Sequence, residues 1–454
     1  MKTNRPMNFL LFGFLLFNYS CEKQAFDSDE NNFDTDYKYI VHSHTKKHNA
    51  EVATQWFNLL TDLAKVTPYN PPQSTRIFAY SSLALYESVV PGMPSYQSMY
   101  KYLTGNKIAY ESNNTYYWPA VANAAMASIS TSILSHYPQP VNYTAINDLE
   151  ANLNAQFQSQ ATQEQLSKSI AFGKHVADVI YNWSMTDGTL NNNGTLYFCP
   201  PYTPVGGPEN WVPTPPFFFP AAGACQGDLR TFVPDIVNLA YPPSVPTYST
   251  DTNSDFYKMN YEIYQLTQNL TPTDLVNIQA WRDILGINYN TPSHVLKLTS
   301  KFIKNEKINL EDASVIYAKQ SLAMFDAIAA TFYAKFDMSL LRPVTYIKSF
   351  IDPSWNSIYP TPQHPSYPAV APSAAAAAVV IWEDYFGKNY SFVDDSQSSL
   401  YGDWNYSSFN ELLENVGRSR THSGLNFMIS AENSIDQGTL VGQMVNALPF
   451  KKIN

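Results

Sequence analysis

The chain has 454 residues, 44% of them hydrophobic and 15% charged; that is apolar material for one large domain or two ordinary ones, and it excludes a disordered chain. A formal net charge of −10 excludes a surface built for nucleic acid or anionic lipid, since either needs clustered Lys and Arg. Tyr, Phe and Trp make up 15%, a share that serves packing first and, in an exported protein, also lines sugar and small-molecule clefts.

The first element is a targeting segment. Lys2 and Arg5 precede a nearly unbroken apolar run, Met7 to Phe17, which is too short to span a membrane and has the length of a signal-peptide core. Ser20 directly before Cys21 resembles a bacterial lipobox, where the mature chain starts at a diacylated cysteine; Asn18 stands where that motif has Leu. The expectation is an exported protein of the periplasm or cell surface, held to a bacterial membrane only through lipid at Cys21. An ordinary cleaved signal is the alternative. Asp27, Asp29, Glu30, Asp34 and Asp36 make residues 22–48 a disordered, solvated tether. His42, His44 and His48 lie beside Lys46 and Lys47 at its end and read as a solvated face rather than a metal site.

Helix signals dominate the remainder, residues 49–454. Ser74 to Glu87 is apolar at helical spacing, and Trp118 to Leu134 is Ala-rich and unbroken. Thr162 with Gln165 forms a capping-box pattern that opens a helix to about Trp183. Thr271, Pro272 and Asp274 supply a cap, a proline at the first helical position and an acid in the first turn, and Asn309 with Asp312 does much the same. Behind that cap, Val315, Ala318, Leu322, Phe325, Ala329 and Phe332 recur at spacings of three and four, as one buried helical face. No β-strand alternation is evident. Residues 191–250 and 341–372 are rich in Pro and break the pattern, as lids and site-lining loops do. Cys199 and Cys225 flank the first of these stretches. In an oxidising compartment a disulfide between them is expected, with two free thiols as the alternative and no metal-site spacing.

Three short stretches in the C-terminal half carry chemistry. Lys335 and Arg342-Pro343 stand seven residues apart, two turns if the helix persists. His364-Pro-Ser-Tyr-Pro-Ala369-Val370-Ala371 leads into an Ala-rich helix starting near Pro372. Ser419-Arg420-Thr-His422-Ser-Gly424-Leu-Asn426 adds a third cation. Three cations and a helix N-terminus directed at one point describe an oxyanion pocket.

This spacing resembles the superfamily of vanadium-dependent haloperoxidases and type 2 phosphatidic acid phosphatases (PAP2), in its bacterial haloperoxidase branch. Its pattern is Lys, six residues, Arg-Pro; then Pro-Ser-Gly-His; then Ser-Arg, three residues, Gly, one residue, His. Weaker agreements run through Arg76-Ile-Phe-Ala-Tyr80, Leu83 to Glu87, Trp118-Pro119, Trp211 to Pro216 and Phe325-Asp326-Ala327. The resemblance implies an all-α fold of two packed helical bundles with long Pro-rich loops, an N-terminal one over 49–250 and a C-terminal one over 251–454 that holds the pocket. It implies that Lys335, Arg342 and Arg420 bind the oxyanion, vanadate or phosphate, with Gly424 in the turn before the last histidine. The chain departs from it elsewhere. Ala369 replaces the Ser that bonds the oxyanion, and Val370 replaces the Gly whose N–H approaches it. Ala371 replaces the acid–base histidine, and Asn426 replaces the histidine that ligates vanadium or attacks phosphorus.

Two imidazoles offer a substitute. His422, four residues before Asn426, would share its face on a continuous helix, and His364 precedes the degenerate stretch. Asp326 reads as a paired structural carboxylate. Three readings follow: a pseudoenzyme that still binds an oxyanion or other small ligand; a working haloperoxidase or phosphatase with rearranged residues; and a surface lipoprotein whose aromatic loops bind a glycan or a protein partner. The first ranks highest, because three unpaired cations are costly without an anion or a relocated carboxylate beside them.

Overall fold

The structure, a computed structural model, describes residues 44–452 except 68, 113–114, 139, 192–195, 197–198 and 285. The targeting segment, Cys21 and most of the tether, including His42, lie outside the described residues. Sixteen α-helices follow among those described. The first six are α1 (Glu51–Val66), α2 (Pro71–Val89), α3 (Met99–Thr104), α4 (Trp118–Leu134), α5 (Tyr143–Phe157) and α6 (Gln163–Ser184). After a long irregular stretch come α7 (Ile236–Leu239), α8 (Asp255–Gln268), α9 (Pro272–Ala280), α10 (Thr291–Asn305) and α11 (Leu310–Met338). The last five are α12 (Pro343–Phe350), α13 (Val370–Phe386), α14 (Ser398–Tyr401), α15 (Phe409–His422) and α16 (Met428–Asn446).

Local chemistry explains where these helices start. Asn70 and Gln73 form a reciprocal capping box ahead of Pro71 and Pro72, and Thr271 and Asp274 do the same ahead of Pro272. Asn309 accepts from the Asp312 N–H at the start of α11. At α6 only the first half of the expected capping box forms, Thr162 accepting from the Gln165 N–H. One strand pair was not foreseen: β1 (Phe392–Asp394) and β2 (Trp404–Tyr406) form a two-stranded antiparallel sheet in which Phe392 faces Tyr406.

α4 packs on α1, α2, α5 and α6 to make an N-terminal bundle, while α13 packs on α10, α11, α15 and α16 to make a C-terminal one. α11 lies between them, against α2 on one side and α13 and α16 on the other. This corrects the expectation of a single apolar face. α11 is buried nearly all round, and between Gln320 and Lys335 its sole charged residue is Asp326. Asp326 accepts from the backbone N–H groups of Phe232 (2.9 Å) and Val233 (2.8 Å), which docks the long irregular stretch onto the central helix. Cys199 and Cys225 are joined by a disulfide, their Cα atoms 5.3 Å apart, across the same stretch.

Candidate oxyanion site

The pocket forms where α11 ends. Lys335 sits on its last turn, and the helix stops at Met338 because Ser339 turns left-handed (φ +49°). Arg342 is therefore not two helical turns beyond Lys335, as a continuous helix would require. It is the extended residue before α12, held out of helical conformation by Pro343. The two side chains still meet. Lys335 Nζ donates to the carbonyls of Pro365 (2.8 Å) and Ser366 (3.2 Å). Arg342 donates from Nε to the His364 carbonyl (3.0 Å) and from Nη1 to the Leu425 carbonyl (2.9 Å). Arg420, from α15, donates from Nη2 to the carbonyl of Trp281 and to the Tyr359 hydroxyl (3.0 Å).

All three cations are buried, Lys335 and Arg342 fully and Arg420 to 7% exposure. Their partners are neutral oxygens. No carboxylate among the described residues is in an ion pair with any of them. The electrostatic result is strain on the charged forms. Burial, and then Arg342, hold the Lys335 ammonium well below the usual lysine range. Burial and the neighbouring Arg420 pull the Arg342 guanidinium down to about 9.

α13 completes one wall. It starts at Val370 rather than near Pro372, with Ala369 as its uncapped first neighbour. The Ala369 N–H is taken by the Ser430 carbonyl and by Ser434 Oγ, leaving the N–H groups of Val370 and Ala371 at the open helix end. The Val370 side chain packs with Ile328, Phe332 and Ala374 and still lines the cavity. Asn426 faces it too, its Nδ2 donating to the Ser366 carbonyl.

The cavity holds about 730 Å³, within the range of about 300–1,000 Å³ usual for small-molecule sites. Its other walls are the start of α2 with Arg76, the loop around Ala221–Gly223, and residues 282–284. Arg76 is paired with Asp187 at 2.7 Å, and Arg282 lies over the Tyr359 ring at 4.3 Å.

Two of the sequence candidates fall elsewhere. His422 is the last residue of α15, so the helix does not continue to bring it over Asn426. Its ring is turned to Asp274 of α9, 3.9 Å away, and it does not line the cavity. Gly424 does not line it either. With φ +74°, it lets the chain turn against Trp355, where a Cβ would come within 2.8 Å of the ring. His364 does line the cavity. Its Nδ1 accepts from Arg342 Nη2 (3.1 Å), and burial, followed by Lys335 and Arg342, keeps the ring well below the ordinary histidine range and so neutral. Sequence reasoning missed Asp283, Arg282 and Tyr359 in the lining. Nothing in their local pattern marks them, because the fold alone brings that loop to Arg420.

Residues 315–453 match the VCPO second helical-bundle domain model. Among solved structures, the chain is similar to a bacterial vanadium-dependent iodoperoxidase, with TM-score 0.78 and 24% identity over 88% of this chain and 96% of that one. A bacterial vanadium-dependent chloroperoxidase is similar in its holo form (TM-score 0.64, 17% identity, 84% and 92% covered). The apo form gives TM-score 0.63 at 16% identity, with 88% and 98% covered. No curated protein sequence matches significantly. At these identities the likeness to the solved structures is one of fold.

Proposed function

We propose that the chain is an exported member of the vanadium haloperoxidase and PAP2 superfamily that binds a tetrahedral oxyanion, phosphate or vanadate, without the superfamily's chemistry; its fold and its second helical bundle support that placement. Attachment through lipid at Cys21 belongs to the same proposal. The observation that supports binding is the missing counter-charge. Lys335, Arg342 and Arg420 converge on one cavity, and no carboxylate pairs with any of them among the described residues. An anion supplied from outside would restore the charged forms that burial disfavours.

The donor set fits an oxyanion. One ammonium hydrogen of Lys335 and both Nη1 hydrogens of Arg420 have no acceptor among the described residues, and two helix N–H groups lie at the end of α13. It does not fit a vanadium centre held through nitrogen. Position 426 is a carboxamide already engaged with Ser366, and position 371 is Ala. The imidazole lining the cavity, His364, has Nδ1 engaged by Arg342. No acid–base or ligand step is assigned to these residues.

A calorimetric titration of the protein with orthovanadate tests the proposal. Saturable binding that disappears in Arg420→Ala is expected, with peroxide-dependent iodide oxidation at background. No heat and no thermal stabilisation would overturn it; turnover of iodide or of a phosphate ester would return the chain to the enzymes.

A second reading rests on Phe217, Phe218 and Phe219, all exposed, on the loop that runs on into the cavity wall. Such a face suits a glycan or a protein partner. Lys335→Ala would then leave partner binding intact while removing any response to vanadate.

A further inference from the structure

Among the described residues one carboxylate stands in the wall of this cationic cavity: Asp283. Its backbone is left-handed, φ +57°, a conformation rare outside Gly and tolerated best by Asp and Asn, and one that persists only where the surroundings hold it. Thr291 fixes the side chain. Its N–H (2.7 Å) and hydroxyl (3.0 Å) both donate to Oδ1. Oδ2 takes no hydrogen bond from any described residue, and Asp283 forms no ion pair with Arg420. The two are nonetheless close in the fold, since Arg420 Nη2 donates to the carbonyl of Trp281, two residues before Asp283.

We propose that Asp283 sets the selectivity of the site: Oδ2 accepts the proton of a singly protonated oxyanion, so that hydrogenphosphate or hydrogenvanadate is bound and sulfate is rejected. The inference rests on the oxyanion-binding reading above and adds the ligand class to it. The reason is a count of protons. An ionised carboxylate can only accept. Facing hydrogenphosphate, it receives an O–H and completes the ring of donors begun by the cations. Facing sulfate, which carries no proton near neutral pH, two acceptors meet across the half-buried Asp283 carboxylate with no hydrogen between them, and the bound ion keeps water from separating them. The cations alone would not make this distinction, because they attract either dianion.

The groups around Asp283 act in opposite directions. Burial raises its carboxyl, while Arg420 from α15, the Thr291 hydrogen bonds and His294 from α10 hold it down. Arg282, next in the chain, adds a further positive charge to the lining. Once the carboxyl takes up its own proton it becomes a donor, and the barrier to sulfate falls. Sulfate binding therefore strengthens as pH falls through the raised carboxyl value, whereas phosphate takes up a proton of its own near neutral pH.

The test titrates the full chain with inorganic phosphate, orthovanadate and sulfate at about pH 8, and repeats sulfate at about pH 5. Phosphate is expected to bind at least about tenfold more tightly than sulfate at the higher pH, as an unsatisfied buried acceptor implies. Sulfate affinity should rise at the lower pH by more in the unaltered protein than in Asp283→Asn, since falling pH also charges Lys335 in both. Asp283→Asn, which can keep the Thr291 bonds through its own Oδ1, should raise sulfate affinity and bring the two within about threefold. Equal binding of phosphate and sulfate by the unaltered protein, or an unchanged ratio in a folded Asp283→Asn protein, would overturn the selectivity while leaving oxyanion binding standing. If phosphate, vanadate and sulfate all fail to bind, the underlying reading fails and this one with it. The comparison of phosphate with sulfate at about pH 8 needs no variant, so the idea stays testable even if the substitution prevents folding.

Discussion

Arg342 grips His364 at two points, its Nη2 donating to Nδ1 at 3.1 Å and its Nε to the carbonyl of the same residue at 3.0 Å. A guanidinium only donates, so this contact needs the lone pair on Nδ1 and the ring proton on Nε2, against the Pro365 carbonyl 3.3 Å from Nδ1, which would take an Nδ1–H instead. The shorter Arg342 contact favours that tautomer, and burial, then the charges of Lys335 and Arg342, keep the ring neutral.

Nitrogen-15 spectra of His364 should accordingly show the neutral Nε2–H tautomer from about pH 8 down to about pH 5.5. A titration of that ring within the window would contradict the Arg342 contact. His364→Asn, whose carbonyl oxygen can accept from Arg342, should be tolerated better than His364→Leu, which leaves a buried guanidinium hydrogen unsatisfied at a cost of about 1–3 kcal/mol.

Lys335 predicts an inversion between the free and bound protein. Its pKa is lower in the folded chain than in the unfolded one, so the folded state binds fewer protons, and the residue's contribution to stability improves as pH rises from the lowered folded value to the unfolded one. At neutral pH it therefore opposes folding. Lys335→Met should melt at the same temperature as the unaltered protein or higher when no anion is present. It should gain nothing from vanadate. Binding by the unaltered protein should take up protons, measurable as a heat that varies with the ionisation enthalpy of the buffer. A large loss of ligand-free stability in Lys335→Met would mean that its bonds to the Pro365 and Ser366 carbonyls outweigh the cost of burying its charge.

Glu87 gives the opposite sign at a distance from the site. Burial pushes its carboxyl up to about 7 from 4.5, against the hydrogen bonds from Ser98 Oγ and the Tyr100 N–H. The folded state thus holds the proton more tightly than the unfolded chain. That stability is fully present below about pH 4.5 and is lost as pH rises to about 7. Glu87→Gln should remove this dependence and be the more stable form at pH 8, by on the order of 3 kcal/mol. Melting curves of both proteins across that range decide the matter, and parallel curves would refute it.

The contact between α13 and α16 is close enough to be tested by one methyl group. A Cβ on Gly438 would stand 2.0 Å from the Ser373 carbonyl oxygen, and one on Gly442 would stand 2.7 Å from that of Ala377. Gly438→Ala should cost about 1–3 kcal/mol, seen as a lowered melting temperature, because both obstacles are backbone and the helices must separate. An unchanged melting temperature would mean that the two helices are not packed this tightly.

Much of this was legible in the residues. The caps at Thr271 and Asn309 and the alanines of α13 are local signals, and the structure uses them as expected. The cap at Asn70 carries an equally local signal, with Gln73 three residues on and Pro71 and Pro72 between, yet apolar spacing alone suggested a start at Ser74. The three cations meet as their order along the chain suggested, though by a different route, through a broken helix rather than a continuous one. What local pattern misjudged was where helices stop. His422 would have approached Asn426 had α15 run on, but it ends there and the ring turns to Asp274. Asp283 was invisible for another reason. Its significance depends on Arg420, whose hydrogen bond to Trp281 spans 139 residues of sequence, and a separation of that size has no periodicity to read.

The disulfide at Cys199 and Cys225 has a bearing on when this cavity exists. Ala221, Ala222 and Gly223, which form part of its wall, lie just inside the cross-linked segment, and Cys199 itself faces the cavity. The segment has little regular structure of its own, so its shape depends on anchors: the Ala222 N–H on the Gln363 carbonyl, Asp326 beyond its far end, and the sulfur bridge. Closing a loop of 26 residues restricts the unfolded chain by about 3 kcal/mol. A newly made, reduced chain would have its helices and all three cations and still lack one firm side to its cavity. The bridge, made by chemistry and not by packing, is therefore one of the anchors that hold this wall of the cavity in place.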